Sequence, residues 1–299
     1  NGGGGGFIAN VRGDLNVGSQ ISSGSARGGA ISAVNSSRIS TAGDYSPGLI
    51  LLSTGGGGAI TGSVGSTDQL VNVGSRGKAI SDSGAISLNN TADITTVGIA
   101  SPALLGQSIA GAGAYIPLSN TPNFIKLGSN GAGSSQAGDL TISTSGILQT
   151  EGVGSQALIL QSIGGGGGFV GDVDLDDTVT GAILIGRQGS VDAGLVDIAA
   201  AWQQAWLNLL PSIGTNENDE LAFLDDIDDG LTALITGPGG GGDGGAINLN
   251  ASGSQFSTKA DNSSVVLTQS IGGGGGWVLI DQGSTYSLLG SLKSDAGDG

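Results

Sequence analysis

The strongest constraint on this chain is that its sequence repeats. Gln161-Ser162-Ile163 is followed by five glycines and Phe169, and Gln269-Ser270-Ile271 is followed by five glycines and Trp277. A looser copy occupies residues 107–115, so the first spacing is 54 residues and the second is 108. Self-similarity at a fixed period indicates a supersecondary unit that must stack on its neighbours to bury its apolar face. The repeats therefore predict a solenoid.

Each repeat contains three short runs in which apolar residues alternate with small or polar ones, a pattern typical of a strand with one buried face. The first run covers residues 30–33, 85–88, 139–142 and 246–249. The second covers 38–41, 93–96 and 147–150, and the third covers 48–52, 103–107, 157–161 and 265–269. Equivalent apolar residues in the third run predict an inward stack made of Ile50, Leu105, Ile159 and Leu267.

The corners between these runs contain Gly, Asn, Ser and Asp but lack two-residue hairpin turns, which favours a chain that winds in one direction. A coil of three strands needs roughly 18 to 27 residues at ordinary strand and loop lengths. We therefore expect about two coils per repeat and an all-β fold, a parallel β-helix. An amide ladder of Gln107, Gln161 and Gln269 stays open, because an intervening coil would separate them.

The five-glycine blocks need a backbone explanation, since glycine is costly in regular structure. We expect them to allow positive φ at a corner or close approach of two backbones. They lack the Gly-Lys-Ser/Thr ending or dinucleotide fingerprint of a phosphate-binding loop. A nucleotide site is therefore not expected.

The fourth repeat contains a long insertion. Apolar residues at helical spacing predict a first helix that ends at Pro211 and a second that begins after Asn218. They are Val196, Ala199, Ala200, Trp202, Trp206, Leu207 and Leu210, then Leu221, Phe223, Leu224, Ile227, Leu231, Leu234 and Ile235. We therefore expect β-helix repeats in residues 1–187, an inserted α-helical hairpin in 188–244, and the continued β-helix in 245–299.

Two interpretations of the hairpin remain open. Either Trp202 and Trp206 bury it against the side of the β-helix, or it is a contact surface for another molecule, since insertions in repeat proteins often lie on the binding face. A second candidate surface is the opposite side of the third run, which is also apolar. The candidate interaction residues are Trp202, Trp206, Phe223, Leu224, Leu49, Leu104, Leu158 and Val266. Three candidates could cover this second surface: the hairpin, a loop of the next coil, or another molecule.

Composition excludes several classes of function. The 299 residues contain no cysteine, methionine or histidine, which removes disulfide scaffolds, Cys/His metal sites and His-based catalysis. The net charge of -16 opposes binding to nucleic acid, and no apolar stretch is long enough to insert into a membrane. The acidic residues 174–177 and 225–229 resemble calcium loops only in part, because Ile227 stands where a ligand oxygen is needed. We expect no enzyme activity, cofactor or metal.

The glutamine-serine-isoleucine-polyglycine blocks at residues 161–169 and 269–277, preceded by Thr150-Glu151-Gly152 and Gly245-Ala246-Ile247, resemble the repeats of large proteobacterial autotransporter passengers. This resemblance implies a right-handed β-helix, secretion through the outer membrane by a C-terminal barrel, and an extracellular location on the bacterial surface. It also implies a structural or adhesive role in adhesion or aggregation, with a neighbouring cell, a host surface or other copies as partners. The alternative is a self-assembling subunit of an extracellular filament.

Overall fold

The computed structural model of the chain describes residues 5–11, 15–17, 26–64, 70–73, 81–117, 124–128, 135–173, 182–185, 232–236, 242–272, 274–280 and 286–289. These residues contain 23 strands and no helix. Every pairing between the strands is parallel. The all-β prediction is confirmed, and the stacked parallel strands are those of a β-solenoid.

The strands form five parallel sheets, numbered I to V. Sheet I contains β3 (Ile31–Asn35), β8 (Ile86–Asn90), β13 (Leu140–Thr144) and β19 (Ile247–Asn250). Sheet II contains β4 (Ile39–Thr41), β9 (Ile94–Thr96), β14 (Ile147–Thr150) and β20 (Gln255–Thr258). Sheet III contains β5 (Leu49–Thr54), β10 (Leu104–Ile109), β15 (Leu158–Ile163) and β21 (Val266–Ile271).

The two remaining sheets contain more strands, five and six instead of four. Sheet IV contains β1 (Gly5–Val11), β6 (Gly58–Val64), β11 (Gly113–Pro117), β16 (Gly167–Val173) and β22 (Gly275–Ile280). Sheet V contains β2 (Leu15–Val17), β7 (Leu70–Val73), β12 (Phe124–Leu127), β17 (Ala182–Ile185), β18 (Thr232–Thr236) and β23 (Tyr286–Leu289).

One repeat makes one coil. The chain passes through sheets I, II, III, IV and V before it returns to sheet I. Each strand pairs with its equivalent in the next repeat, except that β18 lies between β17 and β23 in sheet V. Leu105, for example, pairs with Ile50 on one side and Ile159 on the other. The expectation of about two coils per repeat is therefore wrong. A coil of this protein has five strands rather than three, and it uses the whole 54-residue spacing.

The predicted inward stack is confirmed. Ile50, Leu105, Ile159 and Leu267 are Cα partners in four successive strands of sheet III. Leu105 and Ile159 are fully buried, and Ile50 and Leu267 pack with them in one apolar cluster. Like residues at the same height on neighbouring strands bury apolar area against each other about 4.8 Å apart.

Sheet III separates two apolar cores. On one face, Leu104, Leu158 and Leu160 pack in a cluster with residues of sheets I and II such as Ile86 and Leu148. On the other face, the inward stack packs against the ring positions of sheet IV, including Tyr115 and Phe169. A strand with buried residues on both faces reads as a continuous apolar run, whereas the strands of sheet I alternate buried and exposed positions. Sheet III is thus the shared wall of every coil.

The glycine blocks make the corner between sheets III and IV and the start of sheet IV. Gly168 has a φ of 146°, and a Cβ added there would lie 2.0 Å from the backbone oxygen of Ala114 in the coil before. Gly276 repeats this relationship, with a φ of 159° and Gly168 as its neighbour. The expectation that the blocks allow close approach of two backbones is confirmed.

The predicted helical hairpin falls mainly on residues 186–231 and 237–241, which lie outside the described residues. Its predicted last turn is wrong, because Leu234 and Ile235 belong to β18, which pairs in parallel with β17 and β23. Thr232, Ile235 and Thr236 are β-branched, and such residues favour an extended backbone over a helix. Helical spacing of leucines was therefore a misleading signal at this end of the insertion.

Candidate interaction surfaces

The structure places the predicted apolar surface inside the protein. Leu104 and Leu158 are fully buried, and Leu49 is half-buried in the same core. Their cover is the protein's own sheets I and II, whose apolar side chains pack against them. Val266, at the equivalent position of the last coil, is 40% exposed. The first three residues therefore do not form a free docking surface.

The other four predicted interaction residues, Trp202, Trp206, Phe223 and Leu224, lie outside the described residues. The acidic runs at 174–177 and 225–229 also lie outside them. Among the residues that the structure does describe, no group of three or more acidic side chains is placed to hold a metal ion. Within the same ranges, no helix is long and apolar enough to span a bilayer.

A ladder of glutamine amides runs along sheet III beside the inward stack. Gln107 Nε2 donates to Gln161 Oε1 at 2.6 Å, and Gln161 Nε2 donates to Gln269 Oε1 at 2.6 Å. Gln107 and Gln161 are fully buried. The ladder that the sequence left open therefore exists, because one repeat is one coil and the amides lie on adjacent strands.

A second ladder uses the serine that follows each of these positions. Ser162 Oγ donates to the oxygen of Gly138 at 3.0 Å and accepts from the N–H of Gly245, one coil later, at 2.7 Å. Ser108 makes the same two bonds with Gly84 and Gly138. Each serine thus ties the corner before sheet I to sheet III in two successive coils.

A third ladder lies at the corner between sheets II and III. The N–H of Ser101 donates to Ser155 Oγ at 2.8 Å, and the N–H of Ser155 donates to Ser263 Oγ at 3.0 Å. Thr96 and Thr150 close the corner from inside the coil, since each hydroxyl donates to the backbone oxygen of the serine five residues later. Buried backbone groups at a corner must find partners, and these side chains supply them.

Aromatic residues form the matching stack in sheet IV. Tyr115 pairs with Phe169, which pairs with Trp277, and the Tyr115 and Phe169 rings stack with centroids 5.3 Å apart. The Tyr115 hydroxyl donates to the oxygen of Ala100 at 2.9 Å. Complete burial raises the pKa of this hydroxyl, because the charged phenolate would lose its hydration.

The outer face of sheet I is uncharged and, apart from Val34 of the first strand, polar. Ser32, Ser87, Thr141 and Asn248 are Cα partners in its four strands, and all four are exposed. Side chains in such a column repeat about every 4.8 Å. This surface offers a regular array of hydroxyl and amide groups.

Two ion pairs lie at the surface of the described part of the chain. Arg27 pairs with Asp82 at 3.4 Å between Nε and Oδ2, and Lys259 pairs with Glu151 of the preceding coil. The Lys259 ammonium donates to Glu151 and holds the pKa of that carboxyl below its usual value. Both pairs have exposed partners, so water and salt weaken them.

Apolar residues of the two end coils are more exposed than the residues at equivalent positions of the inner coils. Val265 and Val266 in the last coil are 41% and 40% exposed, whereas Ala157 and Leu158 at the same positions one coil earlier are fully buried. At the other end, the alternating apolar residues of β3 are half-buried, whereas those of β8 are buried. A coil is fully covered only when another coil lies on each side of it.

Sequence reasoning missed the serine and threonine ladders, although a signal for them was present. Serine directly follows every third run, and a threonine stands five residues before the corner serine in each coil. A polar residue that recurs at one position of every repeat indicates a hydrogen bond that is repeated in every coil. The assumption of two coils per repeat hid that relationship.

Comparison with known proteins gave no match: no protein-family model fits the chain, and no curated protein or solved structure is detectably similar to it.

Proposed function

We propose that this chain is a structural element, a stiff section of a rod on the outside of a bacterial cell that mediates adhesion or cell-cell aggregation. The observation that supports it most is that the polar ladders and both cores pass from coil to coil along one direction. Side chains such as Gln161, Ser155 and Ser162 each bond to neighbours in other coils. The buried polar groups thus resist bending and sliding between coils, which is what a rod requires.

The finer features of the fold belong to the same proposal. We expect the coil to be right-handed, because parallel strands joined by crossovers in one sheet are right-handed in almost all proteins. A density map that resolves side chains would test this hand directly. A left-handed coil would remove the resemblance to autotransporter passengers as a basis for the proposed role.

The adhesive part of the proposal rests on the outer face of sheet I. Its exposed hydroxyl and amide groups can form hydrogen bonds with an uncharged polar partner, such as a glycan on a neighbouring cell. An uncharged surface also suits contact between cells whose surfaces carry like charges, because charge repulsion is then weakest at the contact.

Cells that display the chain provide the test. We expect them to aggregate or adhere more than cells that display a β-solenoid of unrelated sequence, and we expect Ser87→Lys with Thr141→Lys to reduce that adhesion. Ser87 and Thr141 are exposed on β8 and β13, so folding should persist, as circular dichroism would check. Equal adhesion with and without the displayed chain would reject the adhesive role.

The second candidate is a self-assembling subunit of an extracellular filament. The exposed column of Ser32, Ser87, Thr141 and Asn248 on sheet I favours it, because a regular polar column can pair side by side with the same column of a second copy. Electron microscopy of the purified protein separates the two candidates. Filaments with a regular axial subunit repeat would support assembly, whereas isolated short rods at every concentration would support the first candidate.

A further inference from the structure

The outer face of sheet II carries exposed apolar side chains on the two inner coils. Val97 is 47% exposed, Ile99 39%, Ile147 38% and Val153 42%. They point outward because their neighbours in β9 and β14, such as Leu148, fill the core. Each of these two coils has another coil on either side, so the exposure does not come from an end of the solenoid. Apolar side chains that cluster on a surface indicate a contact site for another molecule.

The outward side chains of this face form four columns, because the strands of sheet II pair in register and backbone bonds keep the register through the corner. The first column, at the start of the strands, is Arg38, Asp93, Ile147 and Gln255. The two middle columns are Ser40, Thr95, Gln149 and Ser257, then Ala42, Val97, Glu151 and Lys259. The last column, at the corner with sheet III, is Asp44, Ile99, Val153 and Asp261.

The first and last columns carry opposite charges at the same coil. If a second copy is turned by half a turn about the long axis of the solenoid, the first column of each copy faces the last column of the other, and every contact occurs twice. Arg38 then faces Asp44. Both are exposed, and no ion pair within the described ranges involves either of them. One carboxylate oxygen of Asp44 accepts from the N–H of Ile99, and the other can accept from the guanidinium of the second copy.

The apolar side chains meet in the same arrangement. Ile147 of one copy faces Val153 of the other, with Ile99 beside Val153 in the same column. These contacts remove apolar surface from water on both copies. Asp93 is the one member of its column that finds no match, since it faces Ile99. One oxygen of Asp93 is already bonded to the N–H of Ile147 in its own chain.

The charges also decide the relative direction of the two copies. An antiparallel pair would place Asp44 opposite Asp261, so that like charges would meet at both ends of the contact. In the parallel pair, Asp261 faces the amide of Gln255, which can donate a hydrogen bond. The same columns therefore fit together in the parallel pair and repel each other in the antiparallel one.

We propose that the outer face of sheet II binds the same face of a second copy, with the two solenoids side by side and parallel. Four strands about 4.8 Å apart and four columns about 7 Å apart give a contact about 20 Å wide in each direction. An area of this size supports a weak, transient association. The inference uses a different face from the exposed column of sheet I and does not depend on the role at a cell surface.

Disulfide trapping tests the contact and captures weak association. The chain contains no cysteine, so each introduced thiol reports on one position. Equal amounts of the variants Ile147→Cys and Val153→Cys are mixed and mildly oxidised, and we expect a covalent dimer on a non-reducing gel. Val34→Cys mixed with Val153→Cys is the matched control. Val34 is 75% exposed but lies on sheet I, so this mixture should give only the slow reaction of random collisions.

Two more variants test the direction and the charges. Asp44→Cys mixed with Asp261→Cys should react no faster than the control mixture, because these positions meet only in an antiparallel pair. Arg38→Asp, introduced into both chains of the first mixture, should lower the trapping rate about tenfold, since two ion pairs become two repulsive contacts. Circular dichroism should show that all variants fold.

Trapping of Ile147→Cys with Val153→Cys that is no faster than the control would overturn the proposal. Preferential trapping of Asp44→Cys with Asp261→Cys would also overturn it, as would a trapping rate that Arg38→Asp leaves unchanged. Fast trapping of the first mixture that Arg38→Asp slows would support it. None of these measurements depends on whether the chain mediates adhesion.

Discussion

Leu52 lies opposite Gln107 in the paired strands β5 and β10, and the side-chain oxygen of Gln107 is buried without a hydrogen-bond donor among the described residues. The glutamine ladder therefore begins at Gln107 and runs only toward Gln161. A buried acceptor without a donor costs about 1 to 3 kcal/mol. One substitution in the neighbouring strand would supply that donor.

Leu52→Gln should extend the ladder by one step. Its amide nitrogen would donate to Gln107 Oε1, as Gln107 donates to Gln161, for a net gain of about 1 kcal/mol. Leu52 is only half-buried, so the apolar area lost is small. Thermal unfolding should give a melting temperature at or above that of the wild type. Leu52→Glu, similar in size but without a donor when ionised, is the control, and a variant Leu52→Gln no more stable than Leu52→Glu would contradict this account.

Ser162→Ala should destabilise the protein by about 2 to 3 kcal/mol, because it removes two buried hydrogen bonds and leaves the groups of Gly138 and Gly245 without this partner. Chemical denaturation measures the change, provided that the dependence of the unfolding free energy on denaturant concentration (the m value) is the same for both proteins. The chain offers its own control in Ser270, which is exposed in the last coil and bonds to Gly245. Ser270→Ala should cost less than about 1 kcal/mol, and equal losses at the two positions would argue against the ladder.

Gly168→Ala should prevent correct stacking of the third coil on the second. The added methyl group would lie 2.0 Å from the backbone oxygen of Ala114, which has no room to move away within a paired sheet. We expect a loss above about 3 kcal/mol, or insoluble protein. Gly29→Ala is the control, since a Cβ at Gly29 meets no atom within 4 Å. Normal expression and unchanged thermal stability of Gly168→Ala would refute the close approach.

Tyr115→Phe should lower stability by about 1 to 2 kcal/mol at neutral pH, because the backbone oxygen of Ala100 loses its donor. The wild type should then lose this advantage at high pH. The pKa of Tyr115 is raised in the folded protein, so above about pH 10 the unfolded chain releases a proton that the folded chain keeps. The free energy of unfolding of the wild type therefore falls by about 1.4 kcal/mol for each pH unit above pH 10, because of this one group. Urea unfolding of both proteins between pH 7 and 11 would reveal a difference that shrinks above pH 10, and a constant difference would count against burial of the hydroxyl.

The sequence contained enough information to identify the register of sheet III. Ile50, Leu105, Ile159 and Leu267 recur at one place in their repeats, and equivalent residues stack in a solenoid. The strands of sheets I and II were also predictable. One face of each sheet is exposed to solvent, so apolar and polar residues alternate along the strand in the sequence. Local pattern therefore sufficed wherever a strand has one buried face.

The size of the coil was not predictable by the same means. Ordinary strand and loop lengths suggested three strands per coil, whereas this coil encloses two cores that share sheet III. The relevant signal was the second apolar face at Leu104 and Leu158, which was interpreted as a surface in need of a partner. Short-range spacing cannot reveal which distant strand covers a face, so the cover by sheets I and II emerged only from the three-dimensional arrangement.

The polar ladders show the same limit. Gln107, Gln161 and Gln269 recur at one place in their repeats, but whether their amides can hydrogen-bond depends on the number of strands in a coil, which no local pattern encodes. Leu52 stands where the later repeats have glutamine, and that departure marks the place where the ladder begins.

Gln161 and Gln269 are 108 residues apart and yet hydrogen-bond directly, while β18 from the insertion takes an additional place in sheet V alone. Each of the other four sheets still pairs its strands directly across the insertion. The corner after β17 is therefore the place in this solenoid where extra sequence is accommodated while neighbouring coils stay in contact everywhere else.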